Sequence, residues 1–282
     1  MSKVAVIGIA GESVFLSLDE FGRVGETVEA KDIHRELGGK GFNQAVAIAR
    51  SGVECSYLCA VNGSDAASFS DVAQKNGIKP FFVPKKEQSP YAVITTDRCG
   101  DNQVCVFRGA ELEVADVDVF SDEISSADIL LINNEVPVAV NERAVNIARE
   151  SGVRIILNPA PSHPHSIDFL RSIDLFTPNE HELSGLESFE NVVVTLGARG
   201  CRIVSTDELI PPARVERVVD TTGAGDTFNG VLSACLANGM KLRDACVRAN
   251  AAAALKVGRK YILDSIPTKE EIDKFERENE NG

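Results

Sequence analysis

The stretch Val218-Val-Asp-Thr-Thr-Gly-Ala-Gly-Asp-Thr-Phe-Asn-Gly230 runs from a strand-like entry through small residues into a helix. Over 226–238 the apolar residues Phe228, Val231, Leu232, Cys235 and Leu236 recur at the spacing of one helix face, and Gly239 follows as a stop. Gly223, Ala224 and Gly225 let backbone N–H groups converge where that helix begins. A helix N-terminus has unpaired donors and a partial positive charge, so it favours an anion. Asp226 lies in the first turn, within reach of the same point, and a carboxylate there can take a proton from a hydroxyl. Composition alone leaves two readings open: an anion site with a base beside it, or an ordinary capped helix with an acid in its first turn.

Outward from this stretch, strands alternate with helices. Short apolar runs at 3–9, 128–133, 153–158, 174–177 and 191–196 predict buried parallel strands, and 53–61 alternates with Val53, Cys55, Tyr57, Cys59 and Val61 on one face. Helices are predicted at 43–51 and 140–151, stopping at Gly52 and Gly152, and the charge-rich 269–282 reads as a short terminal helix. The alternation predicts an α/β fold with helices on both faces of a central, mostly parallel sheet. Two segments, 14–36 and 89–108, break the rhythm. They read as hairpin-like strands turning at Gly22, Gly25 and Gly100, and predict a small extra sheet.

At 282 residues the chain fits one large domain with an appendage. Its formal net charge of −13 repels phosphate backbones and anionic lipid, which argues against nucleic-acid and membrane-surface partners. None of the seven cysteines falls in a C-x-x-C or zinc-ligand spacing, so they read as reduced, buried thiols. The first residues read as a strand rather than a signal peptide, and no apolar run approaches a membrane span, which points to the cytoplasm.

A second glycine-rich segment, Glu36-Leu-Gly-Gly-Lys-Gly-Phe-Asn-Gln-Ala-Val-Ala47, also precedes a helix. Gly41 follows Lys40, so this is not a Walker P-loop. Glycines here permit close approach of backbone to a ligand, and Asn43 supplies a donor and an acceptor.

Together the two segments resemble the two signatures of the ribokinase, or PfkB-type, carbohydrate kinase family. Gly25-Glu-Thr27, Asn158-Pro-Ala-Pro161, Thr177-Pro-Asn-Glu180 and Thr195-Leu-Gly-Ala-Arg-Gly200 match in the same order. The likeness runs over 3–267 and favours the ribokinase branch. It implies a three-layer α/β/α kinase domain over 1–282, with 14–36 and 89–108 as a β lid over the sugar and as the contact of a homodimer.

The resemblance also assigns roles. Asp226 becomes the base, and Gly223, Ala224 and Gly225 the anion hole. Asn179 and Glu182, in Asn-x-x-Glu, would organise Mg²⁺, partly through water. Thr195, Gly197 and Gly200 would line the phosphates and ribose of ATP, with Asn250 beside the adenine. Gly39, Lys40, Asn43 and Glu135 would meet the sugar. Asp220 and Thr222 resemble half of a K⁺ loop, whose other half should lie near 257–265. There Tyr261-Ile262 replaces the usual Gly-Ala, which counts against K⁺ activation.

The substrate end departs most. Where ribokinases carry Asn-x-Asp, this chain has Gly11-Glu12-Ser13, so either Glu12 substitutes or the substrate differs. Between Gly185 and Asn191 a helix present in relatives is missing. The sequence therefore predicts an ATP-dependent sugar kinase. A nucleoside kinase on the same fold and a ligand-binding homologue without turnover stand as alternatives.

Overall fold

The computed structural model describes residues 2–99 and 101–280. Gly100 and the last two residues of the predicted terminal helix lie outside the described residues. The strands are β1 (Lys3–Ile7), β2 (Gly11–Ser17), β3 (Asp32–Gly38), β4 (Glu54–Asn62), β5 (Ile78–Lys85), β6 (Tyr91–Thr96), β7 (Asn102–Phe107), β8 (Ile129–Asn133), β9 (Arg154–Asn158), β10 (Leu175–Phe176), β11 (Val193–Thr195), β12 (Cys201–Ile203) and β13 (Glu208–Ile210). The α-helices are α1 (Lys40–Arg50), α2 (Ala66–Lys75), α3 (Ser121–Ser125), α4 (Val138–Glu150), α5 (Ile167–Arg171), α6 (Ala224–Ala237), α7 (Leu242–Val257) and α8 (Lys269–Glu280).

Six parallel strands form the central sheet in the order β10-β9-β8-β1-β4-β5. Its residues are apolar on both faces because both faces are covered. Val4 and Val6 of β1 join the core under α1, α6 and α7, while Ala5 and Ile7 join the core under α3 and α4. Strand β4 does the same: Cys55, Tyr57, Cys59 and Val61 face one core, and Leu58 and Ala60 the other. The alternation read in the sequence was thus one core facing another rather than core facing water.

A four-stranded sheet in the order β3-β2-β6-β7 stands beside the central one, and a three-stranded antiparallel sheet, β11-β12-β13, continues past β10. In the four-stranded sheet β2 runs antiparallel to β3 but parallel to β6. Strand β2 begins earlier and β3 ends later than 14–36 suggests, at Gly11 and Gly38, because the backbone pairing continues to the glycines at their root. Cys99 and Cys105 are exposed, unlike the other five thiols, because they lie in and beside this thin sheet. Strand β5, the hairpin β12-β13 and helices α2 and α7 lie outside the predicted elements; α7 begins with too weak a periodicity to stand out. Residues 183–191 form turns without a helix. Among the described residues no helix is long and apolar enough to cross a membrane.

Helix α1 starts at Lys40, three residues before the predicted start. Gly41 costs helix propensity but is required there, since a Cβ on it would lie 2.8 Å from Cα of Gly8 at the end of β1. Gly39 takes φ 114°, and a Cβ on it would run into the Ile9 carbonyl. These contacts press the N-terminus of α1 onto the C-terminal end of the sheet, next to the point where the strand order reverses around β1. In open α/β sheets that crevice is where ligands bind.

Helix α6 crosses α1 at Gly230. A Cβ on Gly230 would lie 2.5 Å from both the Ala47 Cβ and the Gln44 carbonyl oxygen. Gly230→Val should therefore force the helices apart and cost about 3 kcal/mol of stability, read as a lower midpoint in urea unfolding.

Candidate active site

Asp226 sits in the first turn of α6 and is 8% exposed. The close crossing delivers two amides from α1 to it. Asn43 Nδ2 donates to Oδ2 at 2.9 Å, and Gln44 Nε2 donates to Oδ1 at 3.3 Å. Gln44 Nε2 also reaches Asn158 Oδ1 at 3.1 Å, and Asn158 Nδ2 donates to the Thr177 carbonyl at 2.9 Å. The carboxylate is thus fixed in orientation by a chain of amides running back to the ends of β9 and β10. Gln44 and Asn158 stood inside recognised motifs without an assigned role; two amides flanking a buried acid were the available signal.

Gly223 caps α6 with φ 76°, a left-handed conformation open to glycine, and the Ala224 N–H bonds the Thr221 carbonyl at 3.2 Å. The Gly223 carbonyl accepts both the N–H and the hydroxyl of Thr227, at 2.9 Å each. A Cβ added to Gly225 would meet nothing within 4 Å, so the helix end opens onto free space beside Asp226.

Two further charged groups, Lys40 and Glu135, act electrostatically with Asp226. Lys40 is held more basic than an ordinary lysine, first by the charge of Asp226 and then by Glu135 and Glu182, against the opposing effect of burial. Glu135 follows β8, its N–H bonded to Asn133 Oδ1 at 2.9 Å, and its Oε2 accepts from Gly41 N at 3.3 Å. Burial pushes its carboxyl up to about 7; Lys40 opposes and Asp226 reinforces that rise. Asn43 Oδ1 and Asn133 Nδ2 are buried with no hydrogen-bond partner among the described residues. An acceptor and a donor left bare at one crevice are complementary to a ligand's hydroxyl groups.

The substrate-end residues divide. Strand geometry alternates side chains, so Gly11 and Ser13 share a face that Glu12 does not. At Gly11 a Cβ would run into the Pro90 carbonyl, so the glycine is demanded by packing of β2 against Pro90. Ser13 is 6% exposed, its Oγ in the space a Gly38 Cβ would need. Glu12 turns to Arg35, whose Nη1 lies 3.1 Å from both of its oxygens. Its side chain is 39% exposed, and nothing links it to Asp226.

The residues expected to serve the nucleotide gather past β10. Asn179 and Thr195 are joined by a parallel β-bridge. Asn179 Oδ1 accepts from the N–H groups of His181 and Glu182 at 2.8 and 3.0 Å, and Glu182 Oε2 accepts from Asn179 N at 3.1 Å. This reciprocal pairing closes a turn and holds the Glu182 carboxylate in place. Leu196 N bonds the Gly200 carbonyl at 2.8 Å, closing a turn through the exposed Gly197. Asn250 Nδ2 donates to the carbonyls of Ile210 and Pro211 at 3.3 and 3.1 Å, so it fastens the β13 end to α7. Among the described residues no three His, Cys, Asp or Glu side chains cluster as a metal cage. Asn179 and Glu182 could hold a hydrated Mg²⁺, which keeps most of its waters and binds through few protein oxygens.

A family model described as pfkB family carbohydrate kinase matches residues 1–269. The chain belongs to the pfkB family of carbohydrate kinases. Members transfer a phosphoryl group to an alcohol acceptor. The chain is 31% identical over 299 residues to the ribokinase of Haemophilus influenzae, covering 96% of this chain and 97% of that one. It is 33% identical over 301 residues to the bifunctional ribokinase/ribose-5-phosphate isomerase A of Fructilactobacillus sanfranciscensis, where it spans 96% of its own length and 56% of that protein. The Arabidopsis thaliana ribokinase complexed with ribose and ATP superposes with a TM-score of 0.83 at 25% identity, over 98% of this chain and 99% of that one. The three-layer fold and the parallel central sheet are shared with ribokinases of this family.

Glu135 gives a pH-dependent signature. Its proton leaves the unfolded chain near the usual 4.5 but leaves the fold only near 7. The contribution of this carboxyl to stability is full below pH 4.5 and is lost as pH rises to 7. Glu135→Gln removes that loss. Between about pH 5 and about pH 8 the difference in unfolding free energy should move toward the variant by up to about 3 kcal/mol, measured by urea denaturation.

Proposed function

We propose that this chain transfers the γ-phosphoryl group of ATP to a hydroxyl of a small sugar of the ribose class, with Asp226 as the base. The observation that carries the reading is the amide clamp on Asp226 at the open N-terminus of α6. A carboxylate locked by Asn43 and Gln44 spends no rotamer entropy in meeting an acceptor hydroxyl. As the hydroxyl oxygen attacks phosphorus, its proton passes to Asp226 and the bond to the ADP oxygen breaks. The N–H groups at Gly223, Ala224 and Gly225 meet the charge spread over the transferring group. Lys40 adds a fixed positive charge against the same carboxylate-lined crevice.

The acceptor would be held by Asn43, Glu135, Ser13 and the backbone at Gly39, with the bare amide atoms of Asn43 and Asn133 taking its other hydroxyls. Gly11 offers no side chain to it, and Glu12 is committed to Arg35. ATP would lie along Thr195, Gly197 and Gly200, with Asn250 shaping the wall at its base. Asn179 and Glu182 would hold the water shell of Mg²⁺, which supplies charge neutralisation on the phosphates. The exposed apolar residues Ile33, Val104, Val106 and Phe107 on the small sheet support a homodimer through that face.

A panel of pentoses, hexoses and nucleosides, scored by ADP release with Mg²⁺, tests the reading. A pentose should turn over best. Preference for a nucleoside would replace the acceptor and keep the chemistry, whereas ATP binding with no acceptor turned over would leave a ligand-binding homologue. With the best acceptor, Asp226→Asn should lower kcat by about 10²–10⁴-fold while ATP binding is retained; near-normal turnover would remove Asp226 from its role.

A further inference from the structure

Lys256, on α7, is 0% exposed. An ammonium group out of water costs several kcal/mol unless it is paired and hydrogen-bonded. Its Nζ donates to the backbone carbonyl of Asp220 at 2.8 Å and lies 3.8 Å from the Asp220 carboxylate. Burial pulls its pKa down, and the charges of Asp220, Glu36 and Asp226 act to keep the proton on.

Asp220 heads the segment that ends in the anion hole and Asp226, and it is the residue whose likeness suggested a K⁺ loop. Each oxygen of its carboxylate accepts a backbone hydrogen bond: Oδ1 from Thr222 N at 2.9 Å and Oδ2 from Tyr261 N at 3.0 Å. The Val257 carbonyl takes the N–H groups of Val219 and Asp220 at 2.7 and 3.1 Å. Tyr261 adopts φ 63°, so the backbone keeps a left-handed path that suits the family's usual glycine although the residue has changed. Its ring stacks on His34 at 3.7 Å, and Ile262 packs where a Gly223 Cβ would lie.

These residues do not fit a K⁺ ion. An ion ligated by the Asp220 carbonyl would sit about 4–5 Å from the Lys256 ammonium on the same oxygen, where like charges repel by about 3–4 kcal/mol at an effective dielectric constant of about 20. We propose that the Lys256 ammonium is a built-in monovalent cation: it holds the Asp220–Asp226 segment in shape, and turnover needs no added K⁺. This rests on the kinase reading above. Lys256 touches neither acceptor nor phosphate and is a positioning residue.

The test compares KCl with tetramethylammonium chloride, whose cation is too large to enter, at equal ionic strength. Wild-type turnover should agree within about twofold and its thermal midpoint should not move, since a salt that binds no site on the fold cannot stabilise it. Lys256→Ala should lose turnover in tetramethylammonium chloride and recover in KCl or methylammonium chloride, with its thermal midpoint rising in parallel. A wild-type rate that rises about tenfold or more in KCl, with a higher midpoint, would overturn the proposal. So would a loss in Lys256→Ala that is equal in every salt, because a merely structural lysine gives that result. Where the variant does not fold, the wild-type comparison decides. If no acceptor is phosphorylated in any salt, the kinase reading fails, and the thermal midpoints still report on Lys256.

Discussion

The contact on which the site depends is the crossing of α1 and α6 at Gly230, where backbone meets backbone without a side chain between. Helices normally pack with their axes separated by interlocking side chains. Here Gly230 lets the Gln44 carbonyl and Ala47 approach directly. The consequence is geometric: the first turn of α1 and the first turn of α6 end side by side, and Asn43 and Gln44 come within hydrogen-bonding distance of Asp226. A second backbone contact, Gly8 against Gly41, fixes the same end of α1 to the sheet. The acid is therefore placed by packing at glycines distant from it in sequence.

Electrostatics explains why a chain of net charge −13 can carry a phosphoryl-transfer site. The global field disfavours an anion, but the field in the crevice is set by groups within a few ångströms. The α6 N-terminus and Lys40 are positive. Glu135, pushed up to about 7, sheds part of its negative charge near neutrality. What remains is a carboxylate, Asp226, compensated by two amide donors and a neighbouring ammonium. Each compensating group comes from a different element, so the arrangement exists only in the fold.

Much of this was legible in the sequence. The parallel sheet could be read because strands covered on both faces become short, nearly unbroken apolar runs, as at β8 and β9. The start of α6 could be read because Gly223-Ala-Gly225 combines small residues with the onset of an apolar helical period. The start of α1 was misread because Gly41 looks like a breaker by propensity, and only the approach of Gly8 explains it. Glu12 could not be aimed from sequence, since a shift of one residue along β2 turns a side chain to the opposite face. Asn179 and Glu182 hold each other's backbone N–H groups across one turn, a local role that the sequence did not disclose. Lys256 carried no signal at all: within Ala251-Ala-Ala-Ala-Leu-Lys256 it looks like a solvated residue near a helix end. Its partner, Asp220, is distant in sequence.

The same segment ties the small sheet to the anion hole. Glu36, near the root of β3, accepts from Ile262 N and Leu263 N at 2.9 and 3.0 Å. Burial raises its pKa, while those two N–H bonds and His34 act to lower it. Tyr261, one residue earlier, donates its N–H to Asp220 and its hydroxyl to Asp32 of β3 at 3.0 Å. Residues 261–263 thus bind β3 on one side and the Asp220 loop on the other, with Ile262 pressed against Gly223. A displacement of the β3 root would have to break these bonds or carry the loop with it. An aromatic residue and a branched one at 261 and 262 make that link heavier than Gly-Ala would, and a fixed ammonium under the same loop takes away the freedom that a diffusible ion would leave. Lys256, Tyr261 and Ile262 therefore act in one direction: they set side chains of this chain where an adjustable joint would otherwise lie beneath the α6 N-terminus.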